Sequence, residues 1–164
     1  MNILITGGAG YIGSHTALSL IDKGNSVSII DSLITGKKRL IPKKAKYFNF
    51  DIANKEEITS LLNKNTFDIV IHFAGLIKVD ESVRCPEKYY FNNFEKSKIF
   101  FNCCFENKIK KIIFSSTAGV YGNNNSTNIK ESENLLPLNP YAESKLKIEK
   151  FLIENSKKEG ISYK

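Results

Sequence analysis

The sequence is poor in cysteine and in uninterrupted apolar segments, and each shortage excludes a class of protein. No apolar run approaches the roughly 20 residues that cross a bilayer, so no membrane partner is predicted. The three cysteines, Cys85, Cys103 and Cys104, are odd in number and lack metal-ligand spacing, which argues against a disulfide framework and predicts no metal site. Because reduced thiols are typical of cytoplasmic proteins, we expect a cytoplasmic location.

Arginine is also scarce, which bears on the meaning of the basic charge. The chain has 24 basic residues and a net charge of +7, yet only Arg39 and Arg84 are arginines. A basic chain suggests nucleic-acid binding, but the bidentate recognition of bases and phosphates favours arginine. The lysines are spread along the whole chain. We therefore predict a lysine-coated solvent face and no nucleic-acid partner.

Short apolar runs alternate with helix-like segments, a pattern typical of a parallel sheet flanked by helices. Strands are predicted at residues 2–6, 26–31, 46–50, 67–73, 110–116 and 161–163. Helices are predicted at residues 11–23 and 55–63, within 86–107, and from Asn139 as the N-cap to Gly160. The order predicts one doubly wound α/β domain over residues 1–164.

The segment "GGAGYIGSH", Gly7 to His15, lies between the first predicted strand and the first predicted helix. Its glycines fit both the GxGxxG and the GxxGxxG spacing. Glycine allows a tight turn and lets a pyrophosphate approach the backbone amides at a helix N-terminus. The context of strand, turn and helix therefore predicts a dinucleotide site in a Rossmann-like fold.

An acidic residue follows at the position where the adenosine ribose is recognised. Asp31 ends the second predicted strand, roughly 20 residues after the glycines. Its carboxylate can accept hydrogen bonds from the ribose and repels a 2′-phosphate, which favours NAD. The basic run Lys37-Lys38-Arg39 keeps NADP as an alternative, because cations near the ribose can hold that phosphate.

Two further segments carry candidate catalytic groups. "FSSTAGVYG" (residues 114–122) places three hydroxyls just after a predicted strand, and "YAESK" places Tyr141 and Lys145 on one face of a helix. Tyrosine is a poor base at neutral pH, because its ordinary pKa is near 10. A lysine one turn away, with the positive charge of an oxidised nicotinamide, favours the phenolate.

Taken together, these motifs resemble the extended short-chain dehydrogenase/reductase family, and within it the members that epimerise UDP-sugars at C4. The resemblance rests on "ITGGAGYIGSH", "HFAG", "ESV", "YYFNN", "FSSTAGVYG" and "NPYAESK", and runs nearly collinearly from Met1 to Lys164. It implies NAD as a retained cofactor, a UDP-sugar as the substrate, and interconversion of UDP-glucose and UDP-galactose in galactose metabolism. Hydride would pass from C4 to NAD and return to the opposite face of a 4-keto sugar.

The resemblance also implies roles for individual residues. Tyr141 would be the base, assisted by Lys145, and Thr117 would hydrogen-bond the reacting hydroxyl of the bound sugar together with Tyr141. Cofactor contacts are expected from Gly7, Gly10, Tyr11, Ile12, Gly13, Asp31, Asp51, Ile52, Phe73, Ala74, Gly75, Asn93, Ser115, Tyr141 and Lys145. Relatives often carry a lysine soon after "FAG"; here Ile77 intervenes, and the role of Lys78 stays open.

Three other functions fit the same residues less well. The 4,6-dehydratases of nucleotide sugars carry an acidic pair just after the Ser/Thr, where this chain has Ala118 and Gly119. UDP-glucuronate decarboxylases are disfavoured on similar grounds. A dinucleotide-sensing module without catalysis needs no general base, and the pair of Tyr141 and Lys145 argues against it.

Family members are considerably longer than this sequence. We therefore expect the N-terminal part of an epimerase, with the sheet ending before its last strands and without the C-terminal substrate domain. We expect it to have little activity alone. The fuller protein is expected to dimerise through two long helices, within residues 86–107 and at Pro140–Glu159.

Overall fold

The computed structural model describes residues 1–123 and 128–164, and its centre is a sheet of parallel strands in the order β3-β2-β1-β4-β5-β6. The strands are β1 Asn2–Thr6, β2 Ser26–Ile30, β3 Lys46–Phe48, β4 Ile69–His72, β5 Lys111–Phe114 and β6 Ser162–Tyr163. All six predicted strands are confirmed, several of them shorter than predicted. The Rossmann-like fold class is confirmed as well.

The helices complete the doubly wound arrangement. They are α1 Tyr11–Asp22, α2 Lys55–Lys64, α3 Val79–Arg84, α4 Pro86–Tyr89, α5 Lys96–Glu106 and α6 Pro140–Glu159, with short 3-10 helices at Lys38–Leu40 and Ala118–Tyr121. The predicted signals of α6 are confirmed: the Asn139 side chain accepts a hydrogen bond from the Ala142 amide at 2.9 Å, and Gly160 ends the helix with φ +62°.

The predicted long helix within 86–107 is a composite of three parts. A π-helical segment, Tyr90–Glu95, connects α4 to α5. Such segments shift the register of side chains and are frequent at functional sites. The preceding helix α3 was not predicted, because its six residues show too little apolar periodicity.

Both faces of the sheet are covered by apolar packing. Ile3, Ile5 and Ile29 face α1 on one side. Leu4 and Val70 face the other side, where apolar residues of α2, α5 and α6 complete the core. None of the helices in the described part of the chain combines the length and apolar character needed to cross a membrane.

The order of the strands fixes where a ligand can bind. The chain leaves β1 in one direction towards β2 and later crosses to β4 on the other side, so the switch point lies at β1. Ligands of open parallel sheets bind at the carboxyl ends of the strands beside such a point. Gly7, Asp31, Phe73 and Ser115 directly follow β1, β2, β4 and β5 and therefore meet at this edge.

Candidate active site

The glycine turn after β1 approaches the segment after β4 more closely than a side chain would allow. Gly7 has φ +70°, and a Cβ built there would lie 2.6 Å from the Ala74 amide nitrogen and 2.8 Å from the Phe73 carbonyl carbon. Glycine adopts this conformation without strain, and any side chain would collide with the backbone of residues 73 and 74. The turn and residues 73–75 thus form one continuous wall.

The N-terminus of α1 opens onto this wall. Gly10 is the N-cap and offers no side chain to bond the first helical amides. The first two side chains of the helix are largely exposed, at 77% for Tyr11 and 59% for Ile12. Uncapped amides at a helix N-terminus bind anions, and the bare glycine backbone lets a pyrophosphate reach them. The turn therefore fits a dinucleotide.

Asp31 joins the glycine turn to the loop after β2. Its carboxylate accepts hydrogen bonds from the amides of Ala9 at 2.9 Å and Leu33 at 2.8 Å, and a Cβ on Gly36 would lie 2.7 Å from it. The carboxylate is half-buried and faces the same edge of the sheet as the turn. It retains lone pairs for a ribose, because each oxygen accepts only one of these amides. The basic residues 37–39 are exposed on the adjoining loop.

Asp51 and Ile52, for which the family resemblance implies contact with the adenine of the dinucleotide, are held by other contacts. Asp51 pairs with Lys96 at 2.5 Å and accepts the Ala53 amide at 2.9 Å, and Ile52 is buried in the core. The ion pair ties the loop after β3 to the first turn of α5. Contact with an adenine stays a prediction for both residues.

Asn93, placed by the π-helical segment, is buried and hydrogen-bonded on every side. Its Oδ1 accepts the Leu76 amide at 2.8 Å, while its Nδ2 donates to the Leu76 carbonyl at 3.0 Å and to Ser144 Oγ at 3.1 Å. The side chain therefore ties residues 73–77 to α6. Its predicted direct contact with a cofactor stays a prediction, and the bonds in the structure are those of a positioning group.

Lys145 lies deep in the site, in contact with two elements. Its Nζ donates a 3.0 Å hydrogen bond to the Ser115 carbonyl and lies 4.9 Å from the centre of the Phe114 ring. A Cβ on Gly75 would lie 3.4 Å from the same Nζ, so the lysine reaches the wall described above. Burial lowers the pKa of Lys145 to about 8.

Tyr141 at the start of α6 lies next to Thr117, which follows β5. Burial raises the pKa of Tyr141 above its ordinary value, and a hydrogen bond with Thr117 acts in the opposite direction. Thr117 Oγ1 also accepts the Gly119 amide at 3.1 Å, so its own proton is free for the Tyr141 oxygen. Tyr141 thus contacts Thr117, while Lys145, one turn further along α6, is bonded to the Ser115 carbonyl two residues before Thr117. The lowering of the Tyr141 pKa expected from Lys145 and a nicotinamide stays a prediction for the dinucleotide-bound state.

Tyr89 packs against Tyr141, a contact that was not predicted from the sequence. It is fully buried, its hydroxyl donates to Glu81 at 2.9 Å and accepts the Lys78 amide at 3.0 Å, and its ring meets the Tyr141 ring edge-on. The "ESV" motif supplies Glu81 and the "YYFNN" motif supplies Tyr89, but the sequence alone does not indicate that these two side chains are in contact. The Lys78 side chain is exposed at the start of α3.

His72 is the last residue of β4. The structure buries it completely and gives both ring nitrogens a hydrogen-bond partner. Within residues 1–123 and 128–164, no group of three His, Cys, Asp or Glu residues is arranged to hold a metal ion.

The comparisons with known proteins agree with this geometry. Residues 3–164 match the model of the NAD dependent epimerase/dehydratase family. The chain is 38% identical to the UDP-glucose 4-epimerase of Lactobacillus helveticus over 163 residues, which are 99% of this chain and 49% of that protein. It therefore spans about half the length of the curated relatives it matches.

Solved structures extend the likeness to the ligand-bound state of relatives. A UDP-glucose 4-epimerase from Brucella ovis in complex with NAD superposes with a TM-score of 0.95 at 34% identity, over 99% of this chain and 50% of that one. The Thermotoga maritima UDP-glucose 4-epimerase with UDP-glucose gives a TM-score of 0.94 at 33% identity, over 99% and 53%.

Proposed function

Because this chain belongs to the NAD dependent epimerase/dehydratase family, we propose that it is the dinucleotide-binding half of a UDP-sugar 4-epimerase. The observation that carries the proposal is the contact of Thr117 with Tyr141, with Lys145 held by Ser115 one turn along the same helix. These groups lie at the sheet edge that carries the uncapped glycine turn. A module that only binds a dinucleotide requires the glycine turn after β1, but it does not require the hydroxyls of Thr117 and Tyr141. The reaction assigned is interconversion of UDP-glucose and UDP-galactose, in galactose metabolism and in the cytoplasm.

NAD is the cofactor that fits this site, and it supplies a reversible acceptor for the hydride on C4 of the sugar. Gly7, Gly10 and the first-turn amides of α1 are assigned to its pyrophosphate, because they form the bare, uncapped part of the wall. Asp31 is assigned to the adenosine ribose. Lys145 and Ser115 are assigned to the nicotinamide end, because their hydrogen bond lies across the sheet edge from the turn.

Tyr141 is proposed to take the proton of the sugar 4-hydroxyl and to return it. In the empty site its pKa is raised by burial, so the phenol is neutral at pH 7. The Thr117 hydroxyl favours the phenolate, and a positive charge bound nearby lowers the pKa further. The base is thus formed when the site is loaded, which couples proton removal to the presence of the cofactor.

Ala118 and Gly119 support an epimerase over a dehydratase. These residues begin the 3-10 helix after Thr117, and neither can act as an acid at the position where water would be eliminated. The chain's own groups therefore serve removal and return of a single proton. That is all an epimerase requires of them.

We further propose that the uridine diphosphate and the far side of the sugar are bound by a C-terminal part that relatives of twice this length possess. Remote binding energy orients the reacting group, so the 164 residues alone should turn over little substrate. The dimer proposed for the longer protein uses the helical segment from α4 to α5 together with α6.

Complementation tests this proposal. The chain is co-expressed with the C-terminal half of the Lactobacillus helveticus epimerase, and conversion of UDP-galactose to UDP-glucose is followed. We expect turnover that Tyr141→Phe abolishes, because this change removes only the phenolic oxygen. No turnover, from a C-terminal half that is active with its own N-terminal half, would contradict the proposed function.

A further inference from the structure

His72 is a buried imidazole to which the catalytic proposal gives no role. Its Nδ1 lies 2.7 Å from Thr6 Oγ1 and its Nε2 lies 2.9 Å from Ser97 Oγ. The ring stacks on Phe100 with centroids 5.5 Å apart and also contacts Phe101 and Phe114. Burying an imidazole and its two polar partners among aromatic rings costs free energy unless every polar group there is hydrogen-bonded.

The imidazole is neutral, so one ring nitrogen donates and the other accepts. Burial lowers the pKa of His72 well below its ordinary value, and the charge of Lys145 lowers it further. The neighbouring bonds indicate which nitrogen carries the proton. Thr6 Oγ1 accepts the Ala74 amide at 3.4 Å, and we assign the threonine's own proton to Nδ1, the tautomer that the NMR experiment below tests. Nε2 then carries the hydrogen and donates to Ser97.

These bonds lie directly below the wall of the dinucleotide site. Thr6 and His72 are register partners and the last residues of β1 and β4. The next residues are Gly7 and Phe73, whose backbones make the close approach described above. The bond between Thr6 and His72 therefore joins the two strands at the point where the glycine turn meets residues 73–75.

The backbone of His72 reaches the other half of the site. Its carbonyl accepts the Ser115 amide at 3.1 Å, and the Ser115 carbonyl holds Lys145 at 3.0 Å. The ring and the backbone of one residue thus contact β1, α5 and the segment after β5. A displacement of His72 changes the glycine wall and the lysine position together.

We infer that His72 is a positioning residue of the dinucleotide site, whose imidazole, held from α5 by Ser97, fixes Thr6 and Ala74 so that the glycine turn and residues 73–75 form one binding wall. The inference rests on the proposed function for the identity of the ligand. It assigns unequal importance to the two ring nitrogens. The Nδ1 bond to Thr6 sets the wall, whereas the Nε2 bond to Ser97 anchors the ring.

Two isosteric substitutions separate the two bonds. The amide of asparagine lies where Nδ1 lies, so His72→Asn keeps a partner for Thr6 and loses Ser97. The amide of glutamine reaches the place of Nε2, so His72→Gln keeps Ser97 and loses Thr6. Thr6→Val and Ser97→Ala remove the same bonds from the other side, and Thr6→Ser restores the hydroxyl.

The first readout is the dissociation constant of NAD for the 164-residue chain, with urea unfolding in parallel. We expect the affinity for NAD to be about tenfold weaker in His72→Gln and Thr6→Val, as is typical when a group that orients a binding residue is removed. We expect most of the affinity to be retained in His72→Asn and Thr6→Ser. Ser97→Ala should lose stability comparably to Thr6→Val but lose less affinity. Affinities that simply follow stability across all variants would overturn the inference.

A second readout does not need the ligand. Amide exchange at Ala74 should be faster in His72→Gln and Thr6→Val than in His72→Asn, and nitrogen NMR should show the proton of His72 on Nε2. The chain has only two histidines, so His15→Asn assigns the signals. If the wild-type chain fails to bind NAD, the cofactor proposal fails and the exchange rates still decide the role of His72. Equal exchange in all variants, or a proton on Nδ1, would overturn that role.

Discussion

Lys145 donates its 3.0 Å hydrogen bond to the Ser115 carbonyl from a position that is only 3% exposed. Among the residues that the structure describes, no carboxylate forms an ion pair with it. A carbonyl and the face of Phe114 compensate the buried charge only in part, which is why its pKa falls to about 8. A cation kept in this way lowers stability and is typical of a functional site.

Lys145→Met should therefore stabilise the chain at pH 7. A fall in pKa from 10.5 to about 8 means that the unfolded chain binds more protons between those two values. The loss of stability that the buried charge of Lys145 causes in the wild type is therefore complete below pH 8, and it disappears as the pH rises towards 10.5. We expect a gain of about 2 kcal/mol at pH 7, after allowance for the lost hydrogen bond.

Urea unfolding at a series of pH values measures this effect. Lys150→Met is the matched control, because it makes the same change on the same helix at an exposed position. The advantage of Lys145→Met over the wild type should shrink between pH 8 and 10.5, and the control should show little change. A destabilised Lys145→Met variant with no such pH dependence would refute the description of Lys145 as an uncompensated cation.

Gly7→Ala and Gly24→Ala separate backbone strain from steric contact. Both glycines have positive φ, +70° and +81°, but a Cβ at Gly24 meets nothing within 4 Å, whereas at Gly7 it meets the backbone of Ala74. We expect a loss of about 1 kcal/mol in the free energy of unfolding for Gly24→Ala and about 3 kcal/mol for Gly7→Ala. Dinucleotide binding should be lost only in Gly7→Ala. Equal effects would show that the wall is not closely packed.

Thr117 should tune the acidity of Tyr141. Because the hydrogen bond with Thr117 lowers the pKa of Tyr141, Thr117→Val should raise that pKa and Thr117→Ser should leave it near the wild-type value. The near-ultraviolet absorbance of the phenolate, taken as the difference from the same protein with Tyr141→Phe, reports this residue among the seven tyrosines. An unchanged or lower pKa in Thr117→Val would contradict the assigned hydrogen bond.

Asp31 should determine the choice between NAD and NADP. Its carboxylate repels a 2′-phosphate, so we expect the wild-type chain to prefer NAD by at least about tenfold, and Asp31→Asn to lose most of that preference. Asp22→Asn, at an exposed position near the end of α1, changes the net charge equally and should keep the preference. Titration calorimetry with both dinucleotides measures the ratio. Preference for NADP in the wild type would assign the ribose site to the exposed basic residues 37–39 instead.

Signals that act over a few residues allowed most of the fold to be predicted. The glycine spacing after β1 and the caps Asn139 and Gly160 depend on local backbone geometry, and the structure confirms them. The composite helix through Tyr90–Glu95 could not be predicted, because π-helical segments are rare and nothing in the local apolar pattern distinguishes one from an α-helix.

Candidate site residues could be named from the sequence, whereas most of the contacts they make could not. The pair Tyr141 and Lys145 is visible as a helical spacing, whereas the burial of Lys145 depends on Ser115, which lies 30 residues away. The bond between Thr6 and His72 joins residues 66 apart and has no local signal. Such contacts form only when the strands pair in register, so they could not be predicted from the local sequence.

The 164-residue chain should fold by itself and bind NAD at the glycine turn. The most direct test is to purify the folded chain, denature it, and identify and quantify the dinucleotide that it releases, after saturation with an equal mixture of NAD and NADP and removal of the excess. We predict close to one NAD per chain. Release of NADP in its place, or of no dinucleotide from a chain that is demonstrably folded, would contradict the account.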